Sequence, residues 1–144
     1  MTKVNQMNEY LSTLAVFNVK LHNLHWNIVG MEFKPIHDFT ETLYDEAFKN
    51  FDDVAERLKI LGFPPYVKLS DYVKHSAIEE IDGKDFRAKE VVDIVYGDIE
   101  ILKKLATQIR DIADKENDFV TVAQFEDYVE SFDKHLWFLH AMGK

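Results

Sequence analysis

Apolar residues recur along this chain at the three- and four-residue steps of an α-helix, in four long runs, with no stretch alternating at the step of a strand. The first run carries Val4, Met7, Leu11, Leu14, Leu21 and Ile28, with Asn18 and His25 in the same register. The second carries Ile36, Leu43, Ala47, Val54, Leu58 and Leu61, and Gly62 with Pro64 and Pro65 beyond it supplies a stop. The third carries Ala88, Val92, Val95, Ile99, Leu102, Ala106, Ile109 and Ala113; the fourth carries Val122, Phe125, Val129, Phe132, Leu136 and Leu139. The connections at Gly30 to Lys34 and at Asn117–Asp118 are short, so each pair of runs folds as an antiparallel hairpin. The stretch from Gly62 to Phe86 is long and has room for one short helix around Leu69–His75. The expectation is a single all-α domain over residues 1–144, a four-helix bundle whose hairpins are joined by a long crossover carrying a short extra helix.

The second run has an unusual back. Its core stripe centres on Ile36, Ala47 and Val54, and about 100–200° around from it lie His37, Glu41, Asp52 and Glu56. At 100° per residue the last three fall about 40°, 60° and 100° from His37, one narrow stripe. His37 and Asp52 are 15 residues apart, which is about 22 Å along a helix and too far to share one ion within one chain. The four are nevertheless self-complementary. Laid antiparallel against a copy, His37 faces Glu56 and Glu41 faces Asp52, the pattern of a two-fold dimer with two identical metal sites across its interface. Phe48 falls inside the stripe and Tyr44 at its edge. An aromatic ring among ligand-type residues points to a second buried surface, hence an interface.

Composition narrows the chemistry. The chain has 144 residues, 17 Lys and Arg against 26 Asp and Glu, and a net charge of -9. Such a surface repels a phosphate backbone, and the ends offer only Lys3 and Lys144, so DNA binding is expected to be weak or absent. Excess carboxylate favours cations. No cysteine is present, which excludes disulfides and thiolate ligation. No apolar run nears the ~20 residues of a membrane span and no signal-peptide pattern opens the chain, so the expected location is cytoplasmic. Histidine with carboxylates suits a first-row metal, and a carboxylate-rich site with open positions suits iron(II).

Each of these residues also has an ordinary reading. A lone His on an apolar stripe is usually a hydrogen-bonded core residue, and Asp52 with Glu56 could be a solvated face salt-bridged to Lys49 and Arg57. The combined spacing of the set favours the metal. Di-iron sites inside one bundle use Glu-x-x-His, but the residues three before each His are Val19, His22, Lys34, Tyr72, Phe132 and Trp137. That disfavours a site inside one subunit. His22 reads as a support rather than a ligand, His75, His135 and His140 as surface or packing residues, and Trp137 as core or subunit contact.

The sequence resembles the Dps family, the mini-ferritins of starved or oxidatively stressed bacteria. The resemblance rests on His22-x-x-His25-Trp26-Asn27, then Gly30, Phe33, His37, Glu41 and Tyr44, then Asp52-Asp-Val-Ala-Glu56-Arg57-Leu58, Leu61-Gly62, and Asp133-Lys-His-Leu-Trp137-Phe-Leu. It covers essentially the whole chain and implies a ferritin-like bundle. It also implies a ferroxidase centre for two irons at a two-fold interface, with His25 and His37 from one subunit and Asp52 and Glu56 from the other. Glu41, where the family often has Asp, would act as a ligand or as the partner of one. Trp26 would line the centre and take up stray oxidising equivalents. A hollow homododecamer that stores ferric oxide, with peroxide as preferred oxidant, is further implied. Two departures stand out. The Lys-rich, DNA-binding tail of many members is missing, and two positions that often carry carboxylates lining a three-fold iron-entry pore hold Phe119 and Ala123, with Asp118, Glu126 and Asp127 nearby. The competing reading is a non-enzymatic nucleoid-packing or interaction protein on the same scaffold.

Overall fold

Helix starts and stops in this protein are set by a few polar and left-handed residues. In the computed structural model, which describes all residues from Met1 to Lys144, the elements are α1 (Lys3–Asn27), α2 (Phe33–Ile60), α3 (Leu69–His75), α4 (Ala88–Lys115) and α5 (Phe119–Met142). The Thr2 side chain accepts from the Asn5 amide to start α1, and Asp118 accepts from the Thr121 amide to start α5. α2 ends on Gly62 at φ 89°, with the Phe63 amide bonded to the Leu58 carbonyl and the Gly62 amide to that of Lys59. This paired closure needs a left-handed residue, which glycine supplies at low cost. α4 ends the same way on Asn117 at φ 59°, with Asp118 bonded back to Ala113 and Asn117 to Asp114. Asparagine is the residue after glycine that tolerates this conformation.

The four long helices form the bundle, and side-chain pairs fix their direction. His25 pairs with His37 and Asn18 with Tyr44, equal steps in opposite senses along α1 and α2. Lys103 pairs with Asp133 and Arg110 with Glu126, the same relation between α4 and α5. Lys20 reaches Asp98 and Lys3 reaches Glu116, so α1 and α4 are antiparallel too. The core lies among them, around Met7, Leu11, Leu21, Val54, Ile99, Leu102 and Phe125. The four apolar runs account for most of it. Val4, Leu61 and Ala88, near helix ends, and Val129 and Leu136 on α5 are only partly buried, while Tyr10, Phe17, Leu24 and Tyr128 join the core.

The long crossover is tied to α1 by polar residues. The Tyr66 amide donates to Asn8 Oδ1, the Ala77 amide to Thr13 Oγ1, and Asn23 Nδ2 to the Ile81 carbonyl. Phe86 completes the path by exchanging backbone bonds with Asn27 and Val29 at the end of α1. This satisfies loop amides that burial would otherwise leave unpaired, and it holds the α1–α2 turn, where the candidate ligands sit. No helix is long and apolar enough to cross a membrane.

Candidate metal centre

The α1–α2 turn brings two imidazoles face to face. His25, on the last turn of α1, is 5% exposed, and its ring stacks on that of His37 with centroids 3.6 Å apart and planes 16° apart. Nδ1 of His25 lies 2.7 Å from the His37 carbonyl, and Nδ1 of His37 lies 2.8 Å from the His25 carbonyl. A carbonyl can only accept, so each Nδ1 carries the hydrogen. In the neutral rings Nε2 is left with the free lone pair, the state a metal-binding imidazole needs. Thr40 Oγ1 sits 3.1 Å from His25 Nδ1, and its own hydroxyl is bonded back to the Ile36 carbonyl. Burial pushes His25 below the ordinary imidazole range, and the neighbouring His37 and His22 rings act in the same direction against the backbone bond.

Aromatic rings surround this pair. Phe33 stacks on His37 at 4.9 Å, and Tyr44 presents its ring at 88° to His25. His22 is braced rather than available. Its Nδ1 donates to the Asn18 carbonyl at 2.7 Å, its ring stacks on Tyr44 at 3.8 Å, and Trp26 stands edge-on to it. The Tyr44 hydroxyl reaches Glu41 Oε1 at 3.3 Å. Partial desolvation, then the Glu41 charge and bond, raise the Tyr44 phenol. Glu41 thus stands at the surface with one oxygen engaged. Trp26 is 68% exposed and Phe48 is 64% exposed, on helices otherwise well packed on their inner faces.

The second cluster lies further along α2. Asp52, Asp53 and Glu56 each offer a carboxylate oxygen, all within 4.8 Å of one another. Asp53 was not legible as a candidate because it falls about 100° off the Asp52 direction. Its adjacency to Asp52, four residues before Arg57, was the available signal. Lys49 binds Asp53 at 2.9 Å, and Arg57 turns inward to Asp118 at 2.8 Å and Thr121 at 2.9 Å. Arg57 is therefore engaged outside the cluster, Lys49 pairs with Asp53 inside it, and Asp52 and Glu56 have no salt-bridge partner. His37 and Asp52 are on one unbroken helix, so the imidazole pair and the carboxylates stay about 22 Å apart along its axis.

At the start of α5, Phe119 and Val120 are exposed. Of the acidic residues nearby, Asp118 is bonded by Lys3, Arg57 and Thr121, which hold its carboxyl well below the usual range although burial acts the other way. Glu126 is paired with Arg110 at 3.1 Å. Only Asp127 of the three is without a cationic partner, so the acidic surplus expected there is smaller than the residue count suggests.

Comparison with known proteins gives a consistent family. The model of the ferritin-like domain matches residues 4–143. The DNA protection during starvation protein of Helicobacter pylori is 35% identical over 126 residues, 88% of each chain. That of Listeria innocua is 32% identical over 140 residues, covering 96% of this chain and 90% of the other. Among solved structures, Helicobacter cinaedi CAIP superposes with a TM-score of 0.96 at 37% identity over 99% of this chain and 100% of that one. Dps from Listeria monocytogenes gives 0.94 at 30% identity, over 98% and 92%. With the bundle, the crossover and these relatives in agreement, the chain belongs to the ferritin-like family and, within it, to the Dps proteins.

Proposed function

We propose that this Dps-type mini-ferritin takes ferrous iron as substrate, oxidises it at sites shared between two-fold-related subunits, and stores the ferric product in a hollow shell, so protecting against oxidative damage. The observation that carries the reading is the reciprocal bonding of His25 and His37, which leaves both Nε2 lone pairs free for a cation. The free carboxylates of Asp52 and Glu56, on the same helix but far along it, supply the complementary half from a partner subunit. Imidazole nitrogen favours the divalent ion on entry, and carboxylate oxygen favours the trivalent product. Hydrogen peroxide is the preferred oxidant, with oxygen as the slower alternative. With peroxide, two ferrous ions give one electron each, the O–O bond breaks, and two protons complete two waters without releasing a hydroxyl radical.

Glu41 is assigned as a further ligand or as the residue that orients one through Tyr44, and Trp26 as the side chain that lines the centre and absorbs stray oxidising equivalents. The same reading includes a homododecamer built from two-fold dimers, a cytoplasmic setting, and little affinity for DNA at a net charge of -9. Nucleoid packing is the lesser alternative for that last reason. The test is anaerobic addition of ferrous iron and then peroxide to the purified protein, following ferric absorbance near about 300 nm together with particle size. Ferric growth inside a particle of constant size is expected. Iron that precipitates outside the particle, at the rate seen without protein, would overturn the reading.

A further inference from the structure

Two polar groups join α2 to α5. Near the end of α2, Arg57 binds Asp118 and Thr121. At its middle, Glu46 accepts from both Ser131 and His135, four residues apart on α5. By helix geometry Glu46 and Arg57 project about 180° and 200° from His37, away from the His37–Glu56 stripe. The Glu46 cluster is half-buried. His135 is buried, and its Nδ1 makes no hydrogen bond. Phe39 packs edge-on against its ring, and the small cavity beside the cluster is lined by Phe17, Leu43, Ile99 and Phe132, with Asn50 as the remaining polar side chain. Tyr10 is the titratable group that senses Glu46 from α1, and from α4 only the apolar Ile99 lines the cavity.

We propose that Glu46, Ser131 and His135 form an acid-released latch that sets the roll of α2, and through it the direction in which His37, Glu41, Asp52 and Glu56 face. One carboxylate serves two donors, so protonating it either sets its hydroxyl against the His135 Nε2–H or forces the Ser131 hydroxyl to turn and accept, and the charge-assisted group is loosened. Burial raises the Glu46 carboxyl, and the bonds from His135 and Ser131 more than reverse this. Its contribution to stability is therefore present above the unfolded value of about 4.3 and is lost as pH falls through the lower folded value. α2 turns as one body. A roll of about 10° moves a ligand atom about 6 Å from the axis by about 1 Å, enough to degrade a coordination site. Glu46 is in this sense a positioning residue. That role rests on the proposed metal site, whereas the latch does not.

The test is thermal unfolding of assembled, metal-free wild type, Glu46→Gln and His135→Leu from about pH 7.5 to about pH 3.5, with cobalt(II) titration of each at about pH 7. Each variant is expected to melt about 5 °C or more below wild type at neutral pH, with the gap closing below about pH 4.5. Cobalt should bind about 3- to 10-fold more weakly at unchanged stoichiometry. His135→Leu gives the same readout by removing a donor, should Glu46→Gln not assemble. A gap of constant size at every pH would overturn the latch, and wild-type cobalt affinity in a destabilised variant would overturn the positioning role. Wild type that takes up no cobalt would remove the metal site and the positioning role together, while the pH series still decides the latch.

Discussion

His25 and His37 hold each other. Each ring donates Nδ1–H to the other's backbone carbonyl across the α1–α2 turn, and the rings stack 3.6 Å apart. The tautomer and aim of both imidazoles are thus set by main-chain atoms of the fold, which are present whether or not a cation is bound. Thr40 and Phe33 close the arrangement from the α2 side. Two imidazoles held in this way would lose little conformational freedom on binding a cation.

Phe48 is expected to anchor the surface on which a second subunit sits. It is 64% exposed, midway along the stripe that runs from His37 to Glu56. Phe48→Asp should leave helix content unchanged and reduce assembly, by a cost of about 2 kcal/mol or more per buried aromatic. Light scattering beside circular dichroism makes the measurement. A variant that keeps the wild-type particle mass would place Phe48 outside the interface.

Asp118 should make the protein acid-sensitive. It caps α5 and accepts from Thr121, Lys3 and Arg57 with a depressed carboxyl. A depressed carboxylate stabilises above the unfolded value, about 3.9, and that stability is lost as pH falls through the folded one. Asp118→Asn is expected to cost about 1–3 kcal/mol at neutral pH, with the difference shrinking below about pH 4. Denaturant unfolding across pH follows it, and a pH-independent difference would assign the loss to shape rather than charge.

Much of this arrangement was legible in the sequence because it is local. Gly62 and the two prolines after it mark the end of α2, Leu69–His75 is the extra helix, and the helical phase of His37, Glu41, Asp52 and Glu56 puts them on one stripe. What escaped depends on partners far along the chain. Asn8, Thr13 and Asn23 look like interruptions of an apolar face until the crossover backbone arrives, with amides for Asn8 and Thr13 and a carbonyl for Asn23. Arg57 looks like a neighbour of Glu56 until α5 offers it Asp118. His135 fits the packing half of its expectation, but only the fold gives it Glu46.

Binding to DNA should be weak. The net charge is -9, and Lys3 is engaged by Glu116 and Asp118. In a gel shift at about 150 mM salt and micromolar protein, no retardation is expected without added divalent metal. Tight retardation under those conditions would reveal a basic surface formed only in the assembly.

Iron entry should respond to charge at the start of α5. Lys3 and Arg57 neutralise Asp118, Arg110 neutralises Glu126, and Phe119 is apolar and exposed. Ala123→Asp is expected to raise the uptake rate at low ionic strength by focusing negative potential on the incoming cation. The gain should fade as the Debye length shortens to about 8 Å at 0.15 M. Stopped-flow uptake across salt is the check, and equal rates for both proteins at every salt would place the route elsewhere.

The proposed division of a metal site between subunits has one direct test. His37→Ala and Asp52→Ala subunits, each assembled alone, should lose ferrous oxidation. Refolded together, they form hybrid dimers in which one of the two sites combines an intact imidazole pair with intact carboxylates. Recovered oxidation, in proportion to the hybrid fraction measured by native mass spectrometry, is the expected result. Hybrids that assemble in full yet remain as inactive as either parent would contradict a site shared across the two-fold axis.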